Sequence, residues 1–244
     1  MRWATNQYGS GYSFKNKATI KSLCGDKETV TLYAIWKPNE ITIDWDENEG
    51  NAISNGICTY DGPLTLASKP TRTNYTFNGW KMADGSYALE NAVIENGCTS
   101  TNLNAAIETS TDIKALWCHN CVIPSNGTCT LNTSEFENCL YDTSCNQGYT
   151  ISGNGTYNAV CNPNLVTVKW NENGGSSVSD TTCTYDSKLT FPNGLTKANY
   201  TFNGWKLSNG TYQNGGTTLN TGCNHTNTNS YGGDTEAIIA EWCN

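Results

Sequence analysis

The octet NYTFNGWK occurs twice in this chain, at residues 74–81 and again at residues 199–206. The two occurrences lie 125 positions apart, and the same offset relates matching residues throughout the surrounding sequence. The matched pairs include Trp45 and Trp170, Cys58 and Cys183, Tyr60 and Tyr185, Cys98 and Cys223, Trp117 and Trp242, and Cys118 and Cys243. Because no net insertion or deletion interrupts this register, the chain contains two copies of one unit. Such a chain is expected to fold as an array of similar modules.

The repeat divides the chain into four predicted segments. Residues 38–118 and 162–244 are complete copies, and residues 119–161 form a cysteine-rich connector between them. Residues 1–37 resemble the C-terminal half of a truncated copy, because TVTLYAIWKPN parallels TDIKALWCHN and Trp3 takes the place of the octet's tryptophan. We expect the front half of this copy to lie upstream of Met1. Half a unit buries little apolar surface, so residues 1–37 should be the least stable segment unless they dock on a neighbour.

Strand patterns dominate each copy. Residues 41–45 (ITIDW) and 166–170 (VTVKW) alternate apolar and polar side chains, which is the pattern of a half-buried strand. The Gly-Trp step of the octet fits a bulge that turns the ring inward. We therefore predict a mainly β fold, with α+β possible, and a core built on aromatic rings. The predicted core aromatics are Trp45, Tyr75, Phe77, Trp80, Trp117, Trp170, Tyr200, Phe202, Trp205 and Trp242.

The excess of acidic residues argues against some classes of binding partner. The chain has 14 Lys and Arg against 22 Asp and Glu, giving a formal net charge of -8. This balance argues against a nucleic-acid partner, because phosphate binding needs clustered positive charge. No apolar run approaches the roughly 20 residues of a membrane span, so we predict no membrane insertion in this segment.

Cysteine content points to an oxidising compartment. Twelve cysteines in a chain of this length favour disulfides and an extracellular or cell-surface location. Cys58 and Cys98 have the same spacing as Cys183 and Cys223, so the economical pairing joins each pair within its own copy. The partner of Cys24 would then lie upstream of the chain. Since no signal peptide follows Met1, we expect a segment of a larger exported protein.

Six further cysteines lie between the two copies, in and beside the connector. Six cysteines permit three bridges in fifteen arrangements, and the sequence does not choose among them. The stretch resembles an EGF-like module, and Cys243 would open the next such module. Zinc is the alternative, because Cys118, His119, Cys121 and Cys129 lie close together, but no second close pair of ligands follows. We predict disulfides rather than a metal site. The candidate disulfide cysteines here are Cys118, at the end of the first copy, and Cys121, Cys129, Cys139, Cys145 and Cys161 in the connector.

The run of motifs from WNENGG through CTYD and LTF to NYTFNGWK and a closing strand like TLYAIW resembles the Listeria-Bacteroides repeat, also called the internalin B-repeat. The matching elements are Trp45 to Gly50, Thr59 to Asp61, Asn74 to Trp80 and Ile113 to Trp117, with Trp170 to Gly175, Thr184 to Asp186, Asn199 to Trp205 and Ile238 to Trp242 in the second copy. The resemblance implies a β-grasp-like fold in tandem arrays on bacterial surface proteins, with a spacer or adhesive role. Asn74 and Asn199 replace a usual glycine, Glu49 replaces another, and the cysteines lie outside the usual pattern.

No catalytic motif stands out in the sequence. The two histidines, His119 and His225, are not shared between the copies, and no nucleophile or metalloprotease pattern is present. We predict a non-enzymatic stalk or adhesion module without catalytic residues, cofactor or bound metal. Its expected partners are a protein or glycan on a host or neighbouring cell and flanking repeats of the same chain.

Two alternatives remain open at this point. One is a glycan-binding module that uses exposed aromatic rings in Gly- and Ser-rich segments. The candidate rings are Tyr8, Tyr12, Tyr87, Tyr212 and Tyr231. The other is a hydrolase or metal-dependent enzyme built in the connector.

Overall fold

A computed structural model describes residues 1–25 and 28–244 of the chain. Strands dominate the described residues, which confirms the mainly β prediction. Their helices are α1 (Ser100–Leu103) and α2 (His225–Thr228), each a single turn of four residues. Neither helix has the length or the apolar character needed to cross a membrane. The chain divides into two compact units, Met1–Cys118 and His119–Asn244, and the finer division into four segments stays a prediction.

The N-terminal segment forms one small antiparallel sheet. Its strands are β1 (Arg2–Ala4), β2 (Ser13–Lys15) and β3 (Tyr33–Ile35). β1 lies in the middle, in the order β2-β1-β3. Trp3 is opposite Phe14 on one side and Ala34 on the other.

The first complete repeat consists of two three-stranded sheets and a short strand pair. Its strands are β4 (Glu40–Ile43), β5 (Gly56–Thr59), β6 (Leu64–Thr65), β7 (Tyr75–Lys81), β8 (Tyr87–Ala88), β9 (Val93–Ile94), β10 (Glu108–Ser110) and β11 (Lys114–His119). β4 pairs with β5 in antiparallel and with β10 in parallel orientation. The octet strand β7 lies between β11 and β8, and β6 pairs with β9. A parallel bridge between Asp46, just after β4, and Lys114 of β11 links the first and last parts of the repeat.

The second unit begins with two hairpins and ends with the second repeat. The hairpin strands are β12 (Gly127–Asn132), β13 (Leu140–Cys145), β14 (Tyr149–Ser152) and β15 (Val160–Pro163). The repeat strands are β16 (Leu165–Val168), β17 (Thr181–Thr184), β18 (Leu189–Thr190), β19 (Thr201–Lys206), β20 (Tyr212–Gln213), β21 (Thr218–Leu219), β22 (Gly233–Thr235) and β23 (Ile239–Cys243). Their orders β17-β16-β22, β20-β19-β23 and β18-β21 reproduce those of the first repeat.

Each repeat has a hydrophobic core of its own. One buried cluster contains Ile41, Trp45 and Trp80, and the other contains Val166, Trp170 and Trp205. The alternation in β4 and β16 explains this burial, because every second side chain points to the same face. The two octets therefore contribute their tryptophans to separate cores.

Short polar residues cap both ends of each single-turn helix. The side chains of Thr99 and Asn224 accept hydrogen bonds from the third following backbone N–H, at Asn102 and Asn227. Asparagines in the left-handed conformation follow each helix at the C-terminal end. These residues satisfy helix-end backbone groups that a single turn cannot pair internally.

Candidate functional site

The candidate functional site is the junction between the two halves of each repeat. We call residues 38–73 and 163–198 the front halves and residues 74–118 and 199–243 the back halves. The octet tryptophan of the back half packs on a front-half tryptophan, with centroids 5.1 Å apart for Trp80 and Trp45 and 4.8 Å apart for Trp205 and Trp170. Offset or tilted ring pairs at this distance add to the stabilisation from burial alone.

Indole hydrogen bonds also join the halves. The Nε1 atom of Trp80 donates to the carbonyl of Ala67 at 3.0 Å, and that of Trp205 donates to the carbonyl of Pro192 at 2.8 Å. The last tryptophan of each back half repeats the arrangement. Trp117 donates to Glu47 and Trp242 donates to Glu172, both at 3.0 Å. Each back half thus contributes two indole donors, and each front half contributes two carbonyl acceptors.

A disulfide closes the same junction in both repeats. Cys58 on β5 is bonded to Cys98 with a Cα–Cα distance of 6.0 Å, and Cys183 on β17 is bonded to Cys223 at 6.2 Å. Both back-half cysteines, Cys98 and Cys223, are fully buried. A closed loop of 40 residues stabilises the folded state by about 4 kcal/mol in the chain-entropy description.

The side chains of the predicted core aromatics differ in burial. Trp45, Trp80, Trp170 and Trp205 are buried, and Tyr75, Phe77, Trp117, Phe202 and Trp242 are half-buried. Tyr200 was predicted to lie in the core, but its side chain is 43% exposed. Tyr200 lies just before the first residue of β19, whereas its half-buried counterpart Tyr75 is the first residue of β7. There the Nζ atom of Lys197 lies 4.8 Å from the ring centre of Tyr200.

The two repeats differ around their first tryptophan. The Nε1 atom of Trp170 donates to the hydroxyl of Thr181 at 3.1 Å. The position equivalent to Thr181 in the first repeat is Gly56, and the buried Nε1 atom of Trp45 has no hydrogen-bond partner among the described residues. Sequence reasoning missed this difference, although the Gly-to-Thr change at the 125-residue offset was a visible signal.

The connector cysteines are engaged in disulfides. Cys121 is bonded to Cys129 and Cys145 to Cys161, and Cys118 and Cys139 are also disulfide-bonded. The sulfurs considered for zinc are therefore used in covalent bonds. The ring of His119 stacks on Tyr157, with centroids 4.2 Å apart. The part of the chain that the structure describes contains no group of three His, Cys, Asp or Glu side chains placed to hold a metal ion.

One hairpin of the connector packs against the second repeat. The hydroxyl of Tyr149 donates to a carboxylate oxygen of Asp186 at 3.0 Å, and its ring meets Tyr185 edge-on at 5.7 Å. Burial, followed by the hydrogen bond and charge of Asp186, raises the pKa of Tyr149. Gly148 approaches so closely that a Cβ atom there would lie 2.3 Å from the Tyr185 ring.

The five tyrosines considered for glycan binding have different surroundings. Tyr8 is 84% exposed and Tyr12 is 75% exposed, and Tyr212 is also exposed. Tyr87 is half-buried, with Lys81 over its ring. Tyr231 stacks on His225, with centroids 4.1 Å apart. Tyr8, Tyr12 and Tyr212 therefore present the most open rings of the five.

The geometry defines a protein of tandem β repeats whose halves are joined by a disulfide and by aromatic packing. The family model of the Listeria-Bacteroides repeat domain matches residues 42–110 and 167–231, which together exceed half of the chain. The chain therefore belongs to the Listeria-Bacteroides repeat family. The matched ranges lie within the two repeats, so the EGF-like character of the connector stays a prediction.

A longer relative matches most of the chain. The chain is similar to a protein of Evansella cellulosilytica that is named as a Gly-rich membrane protein, with 23% identity over 223 residues. The aligned region covers 83% of this chain and 25% of the relative. The chain thus spans about a quarter of that protein's length.

Proposed function

We propose that the chain is a segment of a repetitive bacterial cell-surface protein, where it acts as a non-enzymatic stalk or adhesion module. Three observations support the proposal. The repeat family contributes the modular architecture, the disulfides fit an oxidising compartment, and the relative from Evansella cellulosilytica is named as a membrane protein.

The observation that most favours this role is that each repeat closes its own core with its own disulfide. The clusters around Trp80 and Trp205 are separate, and the bridges Cys58–Cys98 and Cys183–Cys223 do not leave their repeats. Modules of this kind can be added in tandem without redesign of a shared core. Repetition then provides reach from the cell envelope, or several weak binding sites that gain avidity together.

The disulfides also suit a segment that is pulled at its ends. Each bridge withholds a loop of 40 residues from extension, even when the remainder of the repeat unfolds. A loop of that length would otherwise add about 130 Å or more to the extended chain. Unfolding of one repeat under load would therefore release only the residues outside its bridge, which are about half of the repeat.

Surface labelling of the producing bacterium tests the location. Antibodies raised against the purified chain should bind intact cells, and protease treatment of those cells should remove the signal. Labelling that occurs only after the cells are permeabilised would contradict the proposal.

Adhesion can be separated from a purely spacing role. Beads that carry many copies of the chain should bind host or neighbouring cells more strongly than beads that carry few copies, since linked sites gain avidity. Beads coated with an unrelated disulfide-bonded protein serve as the control. Binding equal to that control would contradict an adhesive role, and the stalk role would then be the one supported.

Glycan binding is a second candidate, favoured by the open rings of Tyr8 and Tyr12. Exposed aromatic rings can stack on the apolar faces of sugars. A glycan array should then show binding that is lost in Tyr8→Ala and Tyr12→Ala. An array with no signal above background would remove this candidate.

A further inference from the structure

The N-terminal segment has the strand arrangement of a back half. In the second repeat, Trp205 of the central strand lies opposite Ala240 on one neighbour and Gln213 on the other. In the N-terminal sheet, Trp3 of the central strand lies opposite Ala34 and Phe14. Trp3 therefore corresponds to Trp205, and Trp36, two residues after Ala34, corresponds to Trp242 two residues after Ala240.

The corresponding rings differ in burial. Trp80 and Trp205 are fully buried, whereas Trp3 is only half-buried. Trp117 and Trp242 are half-buried, whereas Trp36 is 72% exposed. The same sheet face is thus covered in the complete repeats and open among the described residues of the N-terminal segment.

The complete repeats show what covers this face. The front half packs apolar side chains such as Ile43 and Trp45 against it. It also places the carbonyls of Ala67 and Glu47 where they accept from the two indole N–H groups of the back half. On the N-terminal sheet, a groove of about 240 Å³ runs beside Trp3, Phe14, Ile20 and Leu32 at the equivalent face.

A cysteine in the same segment completes the correspondence. Cys98 follows the second strand of its back-half sheet and precedes the third, and it is bonded to Cys58 of the front half. Cys24 lies between β2 and β3 of the N-terminal sheet and is free and exposed. Its position suits a disulfide with whatever front half covers the groove.

We infer that this open face, formed by Trp3, Phe14, Leu32 and Trp36, is a docking site for the front half of a Listeria-Bacteroides repeat. The occupant carries a cysteine at the position of Cys58 and becomes bonded to Cys24. A second complete copy of the chain does not fit this role, because its front halves already cover their own back halves. The docking does not depend on whether the chain works as a stalk or in adhesion.

The covalent step is a thiol–disulfide exchange. The incoming cysteine arrives as a mixed disulfide with a small thiol, and the thiolate of Cys24 attacks its sulfur. The bond between the incoming cysteine and the small thiol breaks while the new bond to Cys24 forms. The small thiol leaves as a thiolate and takes up the proton that Cys24 released, so no further oxidant is consumed.

A peptide of residues 38–73 provides the probe, since Cys58 is its one cysteine. The peptide is activated as a mixed disulfide with thionitrobenzoate and added to the full-length chain with its native disulfides intact. Release of thionitrobenzoate gives the rate, and peptide mapping by mass spectrometry gives the site. We expect coupling at Cys24 to be at least about ten-fold faster than at the equally free Cys243, because docking raises the local concentration of the peptide.

Two variants with exposed rings provide a matched comparison. Trp36→Ala removes a ring of the docking face, since Trp36 lies two residues after Ala34, whereas Tyr8→Ala removes an exposed ring in the loop between β1 and β2. Trp36→Ala should lower the Cys24 coupling rate at least about five-fold, while Tyr8→Ala should leave it unchanged. Both rings are largely in solvent, so neither change should unfold the segment.

Three results would overturn the inference. The first is equal coupling at Cys24 and Cys243, and the second is equal coupling by a scrambled peptide. Either would show that exposure of the thiol alone sets the rate. The third is a Cys24–Cys24 dimer of the chain that forms readily without peptide and blocks coupling, which would make the face an interface between copies. A non-covalent check uses the Cys24→Ser chain with the Cys58→Ser peptide, for which saturable binding by calorimetry is expected.

Discussion

Single residues set how well each tryptophan of the repeat is accommodated. Trp170 has a hydrogen-bond acceptor in Thr181, whereas Gly56 leaves the buried indole of Trp45 without one among the described residues. A buried donor without a partner costs about 1 to 3 kcal/mol. The second repeat should therefore hold its first tryptophan more firmly than the first repeat does.

Thr181→Val tests this difference, because it keeps the shape of the side chain and removes the acceptor. The change should lower the free energy of unfolding of the second repeat by about 1 to 3 kcal/mol, as measured by urea denaturation. Thr182→Val is the matched control, since Thr182 is exposed on the opposite face of β17. Equal losses from the two variants would show that the indole hydrogen bond contributes nothing.

The octet glycine has a backbone conformation that other residues avoid. Gly204 has a φ of 113°, lies at a register shift in the pairing of β19 with β23, and would place a Cβ atom 2.6 Å from the carbonyl oxygen of Gln213. Gly204→Ala should destabilise the second repeat by at least about 2 kcal/mol in thermal denaturation. Gly210→Ala is the control, because Gly210 also has a positive φ but has open space around its Cβ position. If both variants lose the same stability, the backbone conformation rather than the contact sets the cost.

The sequence predicted the burial of single residues correctly where apolar and polar residues alternate along a strand. The alternation in residues 41–45 correctly places Ile41, Ile43 and Trp45 on one buried face. It could not place Tyr200, because that residue precedes the first residue of β19. The carbonyl groups that accept from the indole N–H groups could not be predicted either. Every residue has a backbone carbonyl, so the sequence does not show which one is the acceptor.

At the level of elements, a disulfide joins the front half of each repeat to its back half. The bridge Cys58–Cys98 joins β5 in the front half to the residue before the turn that starts α1. Replacing both cysteines by alanine should lower the stability of the first repeat by about 4 kcal/mol, because the unfolded chain regains the entropy of a 40-residue loop. Denaturant unfolding followed by tryptophan fluorescence measures the change.

The free cysteines supply the control for this prediction. Cys24→Ser and Cys243→Ser change exposed thiols outside any disulfide and should leave the stability within about 0.5 kcal/mol of the parent chain. A loss below about 1 kcal/mol in the double alanine variant would mean that aromatic packing alone holds the two halves together.

Strand positions were easier to predict than strand partners. Period-2 patterns revealed β4, β7, β11 and their counterparts, because one face of each is buried. The parallel pairing of β4 with β10 was not visible, since residues 108–110 (ETS) have no apolar alternation and lie on the other side of α1 in sequence. The single-turn helices also lack any periodicity and depend on end residues instead.

At the scale of the molecule, the repeat offset revealed the architecture, but the connector remained undetermined. Six cysteines allowed too many arrangements for the sequence to choose one. The contacts of β14 with the second repeat were likewise hidden, although they place one hairpin in the same compact unit as the repeat. The backbone N–H of Asn164 donates to the carbonyl of Gly148 at 2.8 Å and adds to this contact.

Gly148 determines whether that hairpin can rest on the second repeat, because a side chain there would collide with the ring of Tyr185. Gly148→Ala should displace Tyr149 from Asp186 and separate the two parts. Hydrogen exchange followed by mass spectrometry should then show at least about ten-fold faster exchange in β14 and β15, with the core around Trp205 unchanged.

Gly155→Ala is the matched control for this last prediction. Gly155 belongs to the same hairpin and also has a positive φ, but nothing lies within 4 Å of its Cβ position. Both variants therefore carry a similar backbone cost, and only Gly148→Ala adds the collision with Tyr185. If exchange in β14 and β15 rises equally in the two variants, the hairpin is held by the disulfide Cys145–Cys161, which joins it to β13, and not by the repeat. If it rises only in Gly148→Ala, the connector and the second repeat stabilise each other as one unit.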